Sequence, residues 1–216
     1  MTSSLKLVIF DCDGVMFDSK EANRHYYNDL LAHFGRPPMT EDEVEYVHIH
    51  HVMGSVSHIF RHYPDDPKEV DRYRKSVDYV RYLQYMRMEP DLVDFLKLLK
   101  TCGYHIAIST NRTTTMPVIL EMFHLKSYFD MVVTALDVDN PKPHPEALEK
   151  ILAHFQVTAE ESIYIGDSQV DREHTASLGM RLIAFKNKAL IAEYHVDSFS
   201  EIVHLPFMVK QEEGTS

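Results

Sequence analysis

Two acidic residues, one position apart, follow the first apolar run of this 216-residue chain. Asp11 and Asp13 come after Leu7-Val8-Ile9-Phe10, and Gly14 then lets the chain turn sharply. The apolar run predicts a buried strand, and open α/β sheets bind their ligands at the carboxyl ends of strands. Such a pair can divide the roles of nucleophile and proton donor, and it can hold a divalent cation. Taken alone, the pattern also fits an ordinary turn after a strand.

Polar residues also follow the later predicted strands. The segment Ser109-Thr110-Asn111-Arg112 comes after the apolar run Ile106–Ile108. A hydroxyl and backbone amides at such a turn can donate to a phosphate oxygen, although they can equally cap the next helix. Lys142 lies between two prolines, whose rings fix the backbone on either side. That stiffness predicts that the Lys142 ammonium is held in a fixed position and is not a solvated surface charge.

A further pair of acids follows the predicted strand Ser162–Ile165. Asp167 comes soon after this strand, and Asp171 is four positions later. In the first turn of a helix this spacing brings the two side chains close together, where acids also favour the helix dipole. Four carboxylates, a hydroxyl and a lysine at the ends of parallel strands should therefore face one crevice, which capping alone does not explain.

The elements that must position these residues form an α/β pattern that is interrupted once. From residue 18 to residue 88 apolar residues recur at helical spacing, which predicts a small all-helical insert. Helices are predicted from Asp18 or Ser19 to Gly35, from the capping box Thr40-x-x-Glu43 onward, and from Asp66 to Leu83.

After the insert the pattern alternates between helix and strand. Strands are predicted at 106–108, 131–133, 162–165 and 181–185, with helices between them. This order predicts a doubly wound parallel sheet. We therefore predict an α/β core made of 1–17 and 89–210, an inserted helical domain at 18–88, and a frayed tail at 211–216.

Composition excludes several classes of partner. The formal net charge of −11 argues against nucleic acid and anionic membranes as partners. Two cysteines are too few for a disulfide framework and suggest a reducing compartment. With no signal peptide or membrane span in the sequence, we expect a cytoplasmic protein.

These motifs, in this order, resemble the haloacid dehalogenase-like (HAD) superfamily, specifically its phosphatases with a helical cap inserted after the first strand. The matching segments are Asp11-Cys-Asp13-Gly-Val, Ser-Thr110-Asn-Arg, Pro-Lys142-Pro-His-Pro and Gly166-Asp167-Ser-x-x-Asp171. The resemblance implies a Rossmann-like core and a cap corresponding to 18–88. It also implies a function for each motif.

By resemblance, Asp11 is the nucleophile and Asp13 the acid/base. Thr110 matches the phosphate-binding hydroxyl, although Ser109 is close enough to leave the register open, and Lys142 matches the family's lysine. The phosphate-binding set predicted from the sequence is Thr110, Asn111, Lys142 and the cap residue Gly54. The resemblance further implies a Mg²⁺ site formed by Asp11, the backbone carbonyl of Asp13, Asp167 and Asp171, the last acting directly or through a hydrogen bond.

The function implied is Mg²⁺-dependent hydrolysis of small phosphomonoesters, such as phosphoglycolate or a sugar phosphate, through an aspartyl-phosphate. Asp13 argues against the dehalogenase and phosphonate-cleaving branches, which lack an acid at that position. A phosphosugar mutase similar to beta-phosphoglucomutase is the main alternative, and a catalytically idle binding protein is another. In the cap, the loop around Gly54 is expected to contact the leaving group. The sequence leaves the oligomeric state open.

Histidines are frequent in the predicted cap. His48, His50 and His51 do not share one helix face, and His58 and His62 lie four positions apart with no cysteine nearby. We interpret them as solvated or hydrogen-bonded side chains in preference to a zinc site.

Overall fold

The computed structural model describes residues 4–49 and 52–208. The chain divides into two compact units: the sheet unit, Met1–Phe17 with Met88–Ser216, and the helical unit, Asp18–Arg87. The described chain forms the strands β1 (Leu7–Phe10), β2 (Phe17–Asp18), β3 (Arg87–Met88), β4 (His105–Ser109), β5 (Met131–Val133), β6 (Ser162–Gly166), β7 (Arg181–Phe185) and β8 (Tyr194–Val196). Its α-helices are α1 (Lys20–His33), α2 (Glu41–Ile49), α3 (Val52–Ile59), α4 (Pro67–Ser76), α5 (Leu92–Thr101), α6 (Thr115–Met122), α7 (Glu146–Phe155), α8 (Gln169–Ala176) and α9 (Phe199–Ile202).

The sheet unit contains six parallel strands in the order β5-β4-β1-β6-β7-β8. β1 is central, so that Phe10 lies opposite Ile108 of β4 and Ile165 of β6. The chain builds the sheet outward on one side of β1 and then returns to build it on the other. Ligands of open α/β sheets bind outside the strand ends where the order reverses in this way. The predicted doubly wound α/β fold is confirmed.

Helices pack on both faces of this sheet. The ring of Phe10 contacts Phe95 of α5 and Phe199 of α9, with ring centroids 6.1 and 5.9 Å apart. Ile9, which points to the opposite face, belongs to a buried cluster that includes Leu148 of α7. Because both faces are covered, β1 is apolar at every position, as is usual for parallel strands.

The predicted strands agree closely with the structure. The bounds of β5 and β7 are those predicted, and β4 and β6 are longer by one or two residues. The helix predicted between the strands 162–165 and 181–185 is α8, which begins at Gln169 because Ser168 caps it. β8 and α9 were not predicted, since three or four residues are too few to show a period.

The helical unit is built around α1. The ring of Tyr26 contacts Tyr79 and Tyr82 of the 3₁₀ segment Tyr79–Tyr85, with centroids 5.2 and 5.5 Å apart. The capping box at the start of α2 is confirmed: the Thr40 N–H donates to the Glu43 carboxylate at 3.0 Å, and the Glu43 N–H donates to the Thr40 hydroxyl at 3.3 Å. None of the described helices has the length and apolar character that a membrane crossing requires.

The prediction of one helix from Asp66 to Leu83 is wrong. α4 ends at Ser76, and Val77 is extended. The carboxylate of Asp78 then accepts the Val80 N–H at 3.0 Å and starts the 3₁₀ segment. An aspartate bonded to the following backbone competes with a continuous helix, although the apolar spacing runs on.

The predicted loop around Gly54 is also wrong, because Gly54 lies within α3. Ser55, Val56 and Ile59 are buried at helical spacing and explain why this segment is helical. The ring of His58 stacks on Tyr46 with centroids 3.7 Å apart, while His50 and His51 lie outside the described residues. The roles of the two units as catalytic core and cap remain predictions.

Candidate active site

The three central strands deliver polar residues to one edge of the sheet. Asp11 follows β1, Thr110 follows β4 and Asp167 follows β6. The backbone N–H of Asp11 still donates to the Ile165 carbonyl at 2.9 Å, so the pairing of β1 with β6 continues to this residue. Its carboxylate is therefore fixed at the carboxyl end of the central strand, and the residue is buried.

Lys142 connects the acids that follow β1 and β6. Its ammonium donates to Asp11 Oδ1, to Asp171 Oδ1 and to the Tyr164 hydroxyl at 2.8, 2.8 and 2.9 Å. Three donors thus meet three acceptors, which satisfies a buried ammonium completely. Although burial acts in the opposite direction, the charges of Asp11 and Asp171 hold the pKa of Lys142 well above its ordinary value.

Tyr164 supports this lysine from inside the sheet. The tyrosine is fully buried in β6, and its hydroxyl lies 2.9 Å from the Ser109 carbonyl and 3.1 Å from Asp171 Oδ1. The hydroxyl can accept from Lys142 while it donates to one of these oxygens. Tyr164 therefore links the ends of β4 and β6 to the ammonium group.

Asp171 belongs both to the site and to the start of α8. Its Oδ2 accepts from the Ser168 hydroxyl at 2.7 Å and from the backbone N–H groups of Asp167 and Ser168 at 3.2 Å each. Burial alone would raise its pKa, but Lys142 and the bonds from Ser168 hold the pKa of Asp171 below its ordinary value. A carboxylate with this many donors is anchored as an anion.

Three carboxylates lie together at this edge of the sheet. Ligand atoms of Asp11, Asp167 and Asp171 are all within 4.8 Å of one another. Burial raises the pKa of Asp11 to about 7, although Lys142 opposes the rise. Burial and then the charge of Asp11 raise the pKa of Asp167 to about 8. Such a set of carboxylate oxygens fits a hard divalent cation, whose charge would favour the ionised acids.

Glycine at position 14 allows Asp167 to approach the loop after β1. Gly14 has φ +74°, and a Cβ atom there would lie 1.9 Å from Asp167 Oδ2. A side chain at this position would therefore displace Asp167. The glycine that permits the turn after the paired acids also makes room for the third carboxylate.

The two hydroxyls after β4 have different environments. Ser109 is fully buried, and its Oγ lies 3.1 Å from Nε2 of His174. Burial, followed by the charge of Lys142, lowers the pKa of His174 to about 4, so this histidine is neutral. Thr110 Oγ1 accepts from the Arg112 N–H at 3.1 Å. The Asn111 amide donates to the Lys142 carbonyl at 3.0 Å and so joins the two loops.

Asp13 is bound by an arginine from the same turn. Arg112 Nε donates to Asp13 Oδ2 at 2.7 Å, and Nη2 donates to Oδ1 at 2.6 Å. This two-pronged geometry is among the strongest that a carboxylate forms with a side chain. Of the predicted site residues, only Gly54 belongs to the other unit, within α3.

Two supporting residues were not recognised in the sequence. Tyr164 could have been found, because it interrupts a buried aliphatic strand and a buried phenol needs a hydrogen-bond partner. Arg112 was visible in the turn after β4, but its partner Asp13 is 99 positions away along the chain. No local spacing indicates such a pair.

Comparisons with known proteins agree on one family. A family model described as haloacid dehalogenase-like hydrolase matches residues 8–185. A HAD-superfamily hydrolase of subfamily IA from Geobacter sulfurreducens has a solved structure with 37% identity and a TM-score of 0.82, covering 94% of this chain and 98% of that one.

Curated relatives are more distant in sequence. The pyrophosphatase PpaX of Bacillus cereus is 25% identical over 201 residues, which cover 89% of this chain and 90% of the relative. A phosphoglycolate phosphatase of Rhodobacter capsulatus is also 25% identical, over 94% of this chain and 96% of its own.

Proposed function

Because the chain belongs to the haloacid dehalogenase-like hydrolase family, we propose that it is a Mg²⁺-dependent phosphatase of small phosphomonoesters. One observation carries the proposal: the Asp11 carboxylate, at the end of the central strand, is held by Lys142 within 4.8 Å of the ligand atoms of two further carboxylates. That set provides a nucleophile, a cation for phosphoryl oxygens and a metal site in one place. The names of the relatives support phosphorylated small molecules as substrates.

In the proposed reaction, a carboxylate oxygen of Asp11 forms a bond to phosphorus as the bond to the leaving oxygen breaks. Asp13 gives its proton to that oxygen. Water then attacks the aspartyl-phosphate, Asp13 takes a proton from it, and inorganic phosphate leaves with Asp11 regenerated. The positive charge of Lys142 offsets the negative charge of the phosphoryl oxygens, and the Thr110 hydroxyl donates to one of them. The bond between Ser109 and His174 supports Thr110 as the phosphate-binding hydroxyl.

Asp11, Asp167 and the backbone carbonyl of Asp13 would hold the Mg²⁺ ion. Asp171 would act on this site indirectly, because its oxygens already accept from Lys142 and Ser168. When bound, Mg²⁺ supplies positive charge that offsets the negative charge of the aspartates and the phosphoryl group. The helical unit as a cap, Gly54 as a leaving-group contact and a cytoplasmic location remain predictions.

A phosphate-release screen tests the proposal. Purified protein is incubated with 2-phosphoglycolate, pyrophosphate and glucose 1-phosphate, with Mg²⁺ or with EDTA. We expect release that requires Mg²⁺ and that falls at least about 10³-fold in Asp11→Asn, because the nucleophile is lost. The matched control is Asp94→Asn, which changes an exposed aspartate of α5 with an 85% exposed side chain.

Three outcomes would contradict the proposal. If Asp11→Asn released phosphate as fast as the wild type, Asp11 would not be the nucleophile. If release in EDTA equalled release with Mg²⁺, the reaction would not require the metal. Conversion of glucose 1-phosphate into an isomer with little free phosphate would identify a mutase.

A further inference from the structure

The ion pair between Arg112 and Asp13 has no role in the reaction as proposed above. Both oxygens of Asp13 accept from the same guanidinium, at 2.7 and 2.6 Å. An aspartate that is to protonate a leaving group needs an oxygen that carries a proton and faces the substrate. While both oxygens accept from Arg112, neither is in that state. The pair must therefore loosen during turnover.

The turn after β4 holds Arg112 firmly in place. Its N–H donates to Thr110 Oγ1 at 3.1 Å, and its carbonyl accepts from the Ala135 N–H at 3.0 Å. Its Nη1 donates to Thr115 Oγ1 at 3.2 Å, and the side chain is only 10% exposed. The two backbone bonds fix the turn that carries Arg112, and the guanidinium itself is held by Thr115 and Asp13.

In the proposed reaction, this position brings the guanidinium near the leaving oxygen. A proton donor lies about 3 Å from the oxygen that it protonates. Since Arg112 is 2.7 Å from Asp13, its guanidinium lies within about 6 Å of the leaving oxygen. A carboxylate or phosphate attached next to that oxygen, on the side of Arg112, would come within hydrogen-bonding range.

Charge favours a change of partner for Arg112, from Asp13 to an anionic group on the leaving group. The sheet edge carries several carboxylates, which repel an anionic leaving group. Lys142 is already shared by Asp11 and Asp171, whereas Arg112 faces the proposed acid. A planar or tetrahedral anion offers the guanidinium fork the same pair of oxygens that Asp13 offers. A neutral alcohol offers no such replacement.

We infer that Arg112 binds an anionic group carried by the leaving group and in doing so frees Asp13 to protonate the leaving oxygen. The substrate class is then phosphoesters or phosphoanhydrides whose leaving group bears a carboxylate or phosphate beside the leaving oxygen. Esters of neutral sugars and simple alcohols are disfavoured. This inference rests on the proposed phosphatase function and names the specificity of the same site.

A matched substrate pair tests the inference. 2-Phosphoglycolate and 2-hydroxyethyl phosphate share a skeleton and differ in the carboxylate. We expect the wild-type enzyme to prefer 2-phosphoglycolate in kcat/KM by at least about tenfold. Arg112→Met should reduce that preference by about 10- to 100-fold, the size expected when a hydrogen-bonded ion pair is lost. Arg112→Lys should keep part of it.

The preference ratio separates recognition from a purely structural effect. If Arg112 only positions Asp13, both substrates lose activity equally in Arg112→Met and the ratio stays at the wild-type value. Guanidinium chloride added to Arg112→Ala should restore the ratio. The matched control, Lys97→Met, removes a 59% exposed cation of α5 and should keep the ratio unchanged.

Two results would overturn the inference: a wild-type ratio near one, or a ratio that Arg112→Met leaves unchanged. If Arg112→Met does not fold, Arg112→Lys replaces it: a wild-type ratio near one, or a ratio that Arg112→Lys leaves unchanged, would then overturn the inference. Failure of the proposed function itself gives a different result, namely no Asp11-dependent phosphate release from either substrate.

Discussion

A single ammonium group, that of Lys142, compensates two buried carboxylates. Asp11 and Asp171 are 8% and 0% exposed, and each places an oxygen 2.8 Å from this nitrogen. Removing one partner of a buried ion pair costs more than the pair contributes, because it leaves an uncompensated charge in a poorly solvated place. The lysine should therefore matter for stability as well as for turnover.

We expect Lys142→Met to lower kcat by at least about 100-fold and the free energy of unfolding by about 3 kcal/mol at pH 7. The loss of stability should be smaller at pH 5, where Asp171 can more readily take up a proton once Lys142 no longer lowers its pKa. Asp11, whose pKa Lys142 keeps from rising beyond about 7, is protonated in the variant at both pH values. Phosphate release and urea unfolding at the two pH values measure these effects. Lys188→Met, which removes a 79% exposed cation, should behave as wild type. A fully stable Lys142→Met would contradict this account of the buried network.

For single residues, the members of the candidate site could be predicted from the sequence, whereas the contacts between them could not. Asp11, Lys142 and Asp167 could be singled out because each follows a strand or lies on a stiff loop, and those are local properties. The bonds from Tyr164 to Lys142 and from Arg112 to Asp13 join residues 22 and 99 positions apart. Those bonds form only because the sheet brings distant strand ends together, so spacing along the chain does not predict them.

Two short backbone elements control how closely the acids approach one another. The loop after β1 passes so near Asp167 that a Cβ at Gly14 would lie 1.9 Å from its carboxylate. On the other side, the capping box at the start of α8 uses Asp171 as both cap and site residue. Small changes in either element should move a carboxylate of the proposed metal site.

We expect Gly14→Ala to weaken Mg²⁺ binding and to lower phosphate release at least about tenfold, because the added methyl displaces Asp167. Isothermal titration with Mg²⁺ and a phosphate-release assay measure the two effects. Gly179→Ala is the matched control: its φ is +63°, but nothing lies within 4 Å of the added Cβ. It should share the backbone strain of about 1–2 kcal/mol and keep the metal affinity. Equal metal affinity in both variants would show that the close approach to Asp167 is unimportant.

Elements were predictable where their hydrophobic period was long and their ends carried a chemical signal. The central strands and the capping box at Thr40 meet that condition. Asp78 shows the limit: its side chain bonds to the Val80 N–H and ends the helical geometry although the apolar spacing continues. Tyr79 and Tyr82 of this segment also pack against Tyr26, a contact that spacing alone does not reveal.

For the molecule as a whole, the clustered acids link stability to pH and to metal. The pKa of Asp11 is raised to about 7 and that of Asp167 to about 8, against about 3.9 in an unfolded chain. Between the unfolded and the folded pKa, these two carboxyl groups bind more protons in the folded state than in the unfolded state, so their contribution to stability falls as pH rises through this range. Metal binding requires the ionised carboxylates, so it should offset the loss at high pH.

We expect the Tm of the protein in EDTA to fall between pH 6.5 and pH 8.5, and added Mg²⁺ to raise the Tm more at pH 8.5. Below pH 6.5 the lowered pKa of His174 makes stability rise with pH, which is the opposite effect. The measurement therefore starts at pH 6.5. Asp167→Asn should show a smaller fall in EDTA, since the neutral amide no longer titrates. A metal-free Tm that rises over this range, or an unchanged slope in Asp167→Asn, would refute the linkage.

The position of β1 has a consequence for how the protein is made. Leu7 pairs with His105 on one side and with Ser162 on the other, so the middle of the sheet joins segments from the beginning and the later part of the chain. On the ribosome, the first strand must wait for β6 before its second edge is covered. Such distant pairings fold slowly and leave an apolar strand edge exposed meanwhile. Nascent chains stalled before residue 162 should therefore recruit chaperones more strongly than the finished polypeptide.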